Sequence, residues 1–106
     1  MYFDKKLCMF QQKFQNQNEL FEAMFNKMYE AGVVKEDYLA AVKEREENYP
    51  TGLLVGNTGF AIPHTDSSKV NYSQICFASL NKPVEFANMG DKNDIVKVEL
   101  VFMLAM

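Results

Sequence analysis

The sequence predicts an α/β or α+β fold, in which a mixed β-sheet is sandwiched between helices. The chain has 106 residues, which is enough for a single domain with one hydrophobic core. Hydrophobic residues make up 48% of it and charged residues 24%, a composition typical of globular proteins. Apolar residues recur at helical spacing before residue 50, and short apolar segments separated by turn residues come after it. We therefore expect a single domain with strands buried on both faces.

The first half of the chain predicts one strand and two helices. The segment Lys5–Phe10 is short and rich in large side chains, which favours a strand. A polar stretch then leads into a helical pattern, for which we expect Asn18 to be the N-cap and Gly32 to end the helix in a left-handed conformation. The apolar face of this helix consists of Leu20, Phe21, Met24, Phe25 and Met28.

The second helix is predicted within residues 35–48 and ends before Pro50. Tyr38, Leu39 and Val42 form its apolar stripe, and Arg45, seven residues after Tyr38, continues the line of that stripe. Two interpretations of this arginine stay open. Its stem could cover apolar surface while its head reaches water, or its guanidinium could be placed to bind an anion.

The second half of the chain reads as turns and short strands. Gly52, Gly56 and Gly59 interrupt any helical periodicity. Pro83 cannot donate a hydrogen bond to an interior ladder, so its segment is expected at an edge. The predicted segments are a strand at 59–63, a strand at 72–80, an edge strand or turn at 82–90, a loop at 90–94 and the most buried strand at 95–105.

Charge and hydropathy indicate which kind of molecule the protein binds and where it is located. The net charge is −3, and the 11 basic residues are scattered, which argues against nucleic acid as a partner. An acidic surface suits a small basic protein instead. The first ten residues lack the apolar core of a signal peptide, and the longest apolar run, Leu100–Met106, is too short to insert into a membrane. We therefore expect a cytoplasmic protein.

Several kinds of chemistry are excluded by missing residues. The segment GLLVGNTG lacks the Lys-Ser/Thr pair of a phosphate loop, and no G-x-S-x-G motif presents a nucleophilic serine. One histidine and two separated cysteines cannot form a tetrahedral zinc site. We expect no metal and no cofactor, and we expect Cys8 and Cys76 to be reduced, buried thiols.

The only histidine, His64, ends the segment GFAIPH directly after Pro63. Proline fixes its own φ, so the imidazole would have a stiff base at a strand end, where ligands gather in α/β sheets. A neutral imidazole can attack a phosphoryl group, and the Thr65 hydroxyl and Arg45 guanidinium could bind the resulting dianion. Asp66 would repel a phosphate if it faced it, so we expect it to cap the next turn or to orient a neighbour. The alternative is a structural histidine with both ring nitrogens hydrogen-bonded.

The segments GFAIPHTDS and KEREENYPTGL resemble the enzyme IIA family of the bacterial phosphoenolpyruvate-dependent sugar phosphotransferase system, in its mannitol-fructose class. Similarity continues in PVEFANMG and VKVELVFMLA, so it covers nearly the whole chain, and the YPTGL form resembles the galactitol-type branch. The matching residues are Arg45-Glu46, Thr51-Gly52 and Ala61-Ile62-Pro63-His64.

The resemblance implies a phosphocarrier that needs no cofactor. The small protein HPr would pass a phosphoryl group to His64, with Arg45 close to the phosphohistidine, and His64 would pass it to a cysteine of a separate enzyme IIB component. Family members usually carry a second active-site histidine after the strand that ends this sequence, followed by further secondary structure. By that comparison, residues 1–106 are an enzyme IIA type-2 domain without its C-terminal part.

Two other functions stay open at this point. The same domain occurs in transcriptional antiterminators and activators, where phosphorylation of the histidine is a signal, so the chain could be a phosphorylation-sensing regulatory module. It could also be a structural relic that no longer accepts phosphate.

Overall fold

The computed structural model describes residues 3–106; the first two residues of the N-terminal segment interpreted above lie outside the described part. Within these described residues the chain forms one five-stranded sheet and two α-helices. In chain order the elements are β1 (Phe3–Gln12), α1 (Gln17–Glu30), α2 (Tyr38–Asn48), β2 (Gly52–Val55), β3 (Thr58–Ala61), a 3-10 helix (Ser67–Lys69), β4 (Gln74–Asn88) and β5 (Asp91–Ala105).

The sheet contains both parallel and antiparallel neighbours. β4 lies parallel to β1 and antiparallel to β5, while β3 lies parallel to β5 and antiparallel to β2. Gly52 of β2 pairs with Asn88 at the end of β4. A mixed sheet combined with helices in one domain confirms the predicted fold class.

The long hairpin of β4 and β5 differs from the sequence prediction. The expected edge strand or turn at 82–90 is mostly a continuation of β4, and the expected loop at 90–94 lies almost entirely in β5. Pro83 is exposed, and it falls in an irregular stretch of the pairing between Ser79 and Val84. The strands extend beyond the core here, and residues 91–95 are all exposed, so this part of β5 has the polar composition of a loop.

The N-cap of the first helix lies two residues before the predicted one. Asn16 is the N-cap, and its side-chain oxygen accepts a hydrogen bond of 3.0 Å from the backbone N–H of Glu19. Asn18 is already inside the helix, so its prediction as N-cap was wrong. Gly32 follows the helix with a φ of +75°, which confirms the predicted left-handed end.

The buried stripe of α2 continues through a glutamate instead of the arginine. Its buried residues are Tyr38, Val42 and Glu46, spaced four apart, while Arg45 is exposed. An α-helix has 3.6 residues per turn, so Arg45 and Glu46, seven and eight residues after Tyr38, both lie near the face of Tyr38. The packing of the helix decides which of the two is buried. The expectation that Arg45 continues the buried stripe was wrong.

Both helices pack against one face of the sheet in a single core. The rings of Phe21 in α1 and Phe86 in β4 lie 5.8 Å apart, and Tyr38 of α2 is fully buried. The burial of these apolar side chains is the main stabilising contribution to the fold. The strand residues buried on this face are Leu7, Met9, Ala61, Cys76, Ala78, Leu80, Val84, Phe86, Val96, Val98, Val101, Met103 and Ala105.

The opposite face of the sheet presents a row of aromatic rings. Phe10, Phe77, Phe102 and Phe60 follow one another across β1, β4, β5 and β3, with ring-centroid distances of 5.9, 5.0 and 6.5 Å. We call these four residues the phenylalanine row. Phe10 is 62% exposed and the other three are half-buried. For the described residues, the expectation of strands buried on both faces is therefore wrong.

Candidate functional site

His64 lies on a loop that leaves β3 and is bonded to β5. Ala61, the last residue of β3, is fully buried opposite Val101. Pro63 is also buried, and its carbonyl oxygen accepts a hydrogen bond of 2.9 Å from the backbone N–H of Leu104. The loop is thus attached to the sheet immediately before His64, whose side chain is half-buried.

One ring nitrogen of His64 is held by its own loop. The Nδ1 atom lies 2.8 Å from the carbonyl oxygen of Ile62. A carbonyl oxygen only accepts hydrogen bonds, so this contact places a proton on Nδ1. In the neutral ring Nε2 then has a free lone pair, which makes it the nucleophilic nitrogen.

The two predicted phosphate-binding residues line one groove. Arg45 and Thr65, the residue after His64, both border a groove of about 450 Å³, together with Lys69. The guanidinium carbon of Arg45 lies 4.8 Å from the centroid of the Tyr49 ring, a cation–π contact that orients the side chain. The carboxylates of Asp37 and Glu44 line the same groove, so it offers two cations and a hydroxyl to an anion among acidic neighbours.

The short 3-10 helix after His64 is bonded to the start of α2. Asp66 accepts a hydrogen bond of 3.0 Å from the backbone N–H of Ser68, which confirms the expected cap. The Nζ atom of Lys69 lies 2.8 Å from an oxygen of Asp37. The hydrogen bond from Lys69 lowers the pKa of Asp37. The same hydrogen bond to Asp37 raises the pKa of Lys69. Both side chains are partly exposed, so water and salt screen the pair.

Glu46 is a buried charged residue that the residue-level reasoning did not select. Its carboxylate accepts hydrogen bonds of 2.7 Å from both the backbone N–H and the hydroxyl of Thr51. Burial raises the pKa of Glu46, while the bonds from Thr51 and the charge of His64 act in the opposite direction. The signal available in the sequence was the spacing of four residues from Tyr38 through Val42 to Glu46.

The two cysteines do not form a reactive pair. Cys76 is buried and Cys8 is half-buried, and both are free thiols. Burial raises the pKa of Cys76 to about 12, which keeps this thiol protonated at neutral pH. The prediction of a buried thiol is confirmed for Cys76 and only partly for Cys8.

Two further features concern metals and membranes. Among residues 3–106, no cluster of three or more histidine, cysteine, aspartate or glutamate side chains is arranged to hold a metal ion. Neither α1, with 14 residues, nor α2, with 11, is long and apolar enough to cross a membrane.

Comparison with known proteins identifies related sequences. Residues 1–106 match the family model described as phosphoenolpyruvate-dependent sugar phosphotransferase system, EIIA 2. The galactitol-specific EIIA component of Escherichia coli is 31% identical over 91 residues, which are 86% of this chain and 60% of that protein. The transcriptional regulator ManR of Bacillus subtilis is 33% identical over 99 residues, which are 93% of this chain and 14% of the regulator. The chain thus spans about 60% of the length of the galactitol relatives.

Solved structures share the fold. The chain matches a putative PTS IIA from Streptococcus mutans with a TM-score of 0.75 at 22% identity, covering 93% of this chain and 60% of that one. It matches the IIA mannitol protein of Escherichia coli with a TM-score of 0.74 at 21% identity, covering 96% of this chain and 70% of that one.

Proposed function

Because the chain belongs to the EIIA type 2 family of the phosphoenolpyruvate-dependent sugar phosphotransferase system, we propose that it is a phosphocarrier whose phosphoryl acceptor is His64. The observation that carries this proposal is the hydrogen bond between Nδ1 of His64 and the carbonyl of Ile62. It leaves Nε2 as a nucleophile on a half-buried ring next to a groove with cationic side chains.

The reaction is a transfer between two histidines. Nε2 of His64 attacks the phosphorus of phospho-HPr, the new N–P bond forms, and the P–N bond to the donor histidine breaks with its electron pair returning to HPr. The His64 ring becomes cationic because Nδ1 keeps its proton, and the Ile62 carbonyl accepts the hydrogen bond from that N–H. In such in-line transfers the protein contributes position and charge stabilisation.

Arg45 and Thr65 are the proposed ligands of the phosphoryl oxygens. A guanidinium forms two parallel hydrogen bonds to a planar oxyanion, and a hydroxyl adds a third donor. Their place on one groove, with Thr65 directly after the histidine in sequence, supports this role. Lys69 is held by Asp37 and would act mainly through its charge.

The partners are proposed from the family. HPr would be the donor and the cysteine of an enzyme IIB component the acceptor, during cytoplasmic phosphorylation of a sugar or sugar alcohol similar to galactitol. A galactitol-specific EIIA at 31% identity supports this choice of substrate class. A solved relative, a complex of enzyme IIA and phosphorylated enzyme IIB for mannitol, is an example of the onward step in another protein.

The chain has a single histidine, which makes the test simple. The purified protein is mixed with enzyme I, HPr and labelled phosphoenolpyruvate, and the label on the protein is measured after separation from HPr. We expect acid-labile, alkali-stable label on the wild type and none on His64→Ala. Label of that kind on the variant would contradict the proposal.

A regulatory module is the second candidate, and the similarity to ManR is the observation that favours it. The two functions differ in the fate of the phosphoryl group. A transport carrier discharges its label rapidly to a galactitol-type enzyme IIB, and the label then reaches a cysteine. A regulatory module keeps its label in the presence of enzyme IIB.

A further inference from the structure

Glu46 connects the end of α2 with the start of β2. It is only 5% exposed, and its two carboxylate oxygens accept hydrogen bonds of 2.7 Å from the N–H and the hydroxyl of Thr51, which is 4% exposed. We call this pair the Glu46–Thr51 clasp. Charge-assisted bonds to a buried carboxylate are strong, and breaking them leaves a charge without compensation.

The clasp connects the chain segments that carry Arg45 and His64, the two side chains that the proposed transfer needs. Arg45 directly precedes the glutamate, and Gly52 directly follows the threonine and pairs with Ala61 at the end of β3. A Cβ atom on Gly52 would lie 2.6 Å from the carbonyl oxygen of Ala87, so the start of β2 is pressed against β4. The clasp therefore fixes the arginine on α2 relative to the strand that leads to His64.

The N-terminal end of α2 is connected to the loop that carries His64. The hydroxyl of Tyr38 donates a hydrogen bond of 2.7 Å to the carbonyl of Leu104, whose N–H donates to the carbonyl of Pro63. Both ends of the helix are thus connected to the segment that carries His64. A shift of α2 along its axis would break one of these connections.

The clasp also has an electrostatic connection to the histidine. Burial raises the pKa of Glu46, and the charge of a protonated His64 is close enough to lower it. During transfer the ring becomes cationic, because Nδ1 keeps its proton when Nε2 bonds to phosphorus. A buried carboxylate within electrostatic reach attracts that ring cation and repels the dianionic phosphoryl group bonded to it, so the two electrostatic effects oppose each other.

We propose that Glu46 is a positioning residue for the phosphoryl acceptor. The clasp holds the arginine and the histidine at a fixed separation, so that the guanidinium is in place when the phosphoryl group arrives. This inference rests on the proposed function, because it assigns a role in that same transfer.

The charges near Glu46 are few, which makes its contribution measurable. On α2 itself, Lys43 and Glu47 line a pocket with it, and α1 contributes uncharged amides to the same pocket. From the other elements packed against it come the His64 charge and the uncharged Thr51. Glu47 is exposed and offers a neighbouring carboxylate without the clasp.

The experiment compares Glu46→Gln with Glu47→Gln, two variants with the same change in charge. The equilibrium between phospho-HPr and the protein is measured, and so is the transfer rate as a function of pH. We expect E46Q to slow the transfer by on the order of tenfold, because the weakened clasp no longer fixes the arginine relative to the histidine. It should also remove the decline in rate that protonation of the carboxylate causes at acidic pH. E47Q should resemble the wild type in both measurements.

Each outcome decides a different point. If E46Q and E47Q behave alike, the inference is overturned while the role of His64 stands. If the wild type takes no phosphoryl group from HPr, the proposed function fails first and the inference fails with it. Should E46Q not fold, Thr51→Val replaces it, since this variant keeps the charge and removes one clasp bond. It should slow the transfer with a near wild-type equilibrium constant, and an unchanged rate would overturn the positioning role.

Discussion

Leu104 uses both of its backbone polar groups to connect the site to the rest of the fold. Its N–H donates to Pro63 at 2.9 Å, and its carbonyl accepts from the hydroxyl of Tyr38 at 2.7 Å. Burial raises the pKa of Tyr38, so the phenol stays protonated and remains a donor well into alkaline pH. A tyrosine is needed here because its ring fills the core while its hydroxyl reaches the sheet.

Replacing Tyr38 with phenylalanine tests this connection. The variant keeps the packed ring and leaves the Leu104 carbonyl without its donor, so the free energy of unfolding should fall by about 1–2 kcal/mol. Tyr72→Phe is the matched control, since that hydroxyl donates to the Ala31 carbonyl at 3.1 Å from a ring that is 49% exposed. Water can replace the lost donor there, so the change should stay within about 0.5 kcal/mol. Urea unfolding measures both, and equal losses would contradict the argument.

The N-terminus of α1 shows how a helix selects its cap. Asn16 and Asn18 are both suitable residues in the sequence, but only Asn16 has extended backbone angles with an oxygen on the N–H of Glu19. The side chain of Glu19 returns the contact by accepting from the N–H of Gln15 at 3.0 Å. The bond from Glu19 to Asn16 satisfies an amide that the first helical turn leaves without a partner, and the bond from Gln15 connects the residue before the cap to the helix.

Asn16→Ala and Asn18→Ala therefore form a matched pair at the element scale. The first removes the cap and should lower the free energy of unfolding by about 1 kcal/mol. The second exchanges an asparagine for a better helix former inside the first turn and should be neutral or slightly stabilising. Thermal and urea unfolding of both variants provide the measurement. A larger loss for Asn18→Ala would mean that the helix begins where the sequence pattern predicted.

The helices were more predictable than the later strands, for a physical reason. The apolar side chains of α1 have a period that only a helix satisfies, so its existence and its end at Gly32 follow from the sequence. The β4–β5 hairpin extends past the core, and residues 91–95 at its outer end are exposed and mostly polar, so no buried apolar side chain there indicates a strand. The polar sequence of this segment therefore predicted a loop, although its backbone pairs as a strand.

At the scale of the whole molecule, the two faces of the sheet differ. One face and both helices form the buried core, while the other presents the phenylalanine row with Phe10 at its exposed end. Large apolar patches on a protein surface promote association and bind apolar probes. The most exposed ring of the row should therefore influence the behaviour of the molecule in solution.

Phe10→Ser tests the solution behaviour of this face. We expect weaker binding of an apolar fluorescent dye and less association in sedimentation runs at rising concentration. The free energy of unfolding should change by no more than about 1 kcal/mol, because the ring is mostly exposed. Ile95→Ser is the control, an apolar residue that is 53% exposed outside the row. Equal effects of the two variants would show that the row has no special role.

The candidate site was partly predictable for a similar reason. His64 stands out because it is the only histidine and follows a proline, and the groove brings the Arg45 and Thr65 of the prediction together. The role of Glu46 depends on its burial and on its contact with Thr51 across the turn after α2. The spacing of four residues from Val42 is compatible with that burial but does not by itself select Glu46 over Arg45, and the contact with Thr51 depends on how the helix packs on the sheet.

In the proposed transfer to His64, the hydrogen bond between His64 and Ile62 also determines the regiochemistry of the product. With Nδ1 occupied, phosphorus can bond only to the nitrogen remote from the main chain, which gives the 3-phosphohistidine isomer instead of the 1-isomer. Antibodies specific for each isomer distinguish the two in a blot. A single carbonyl in the loop thus selects which chemical form of the modified residue a downstream acceptor encounters.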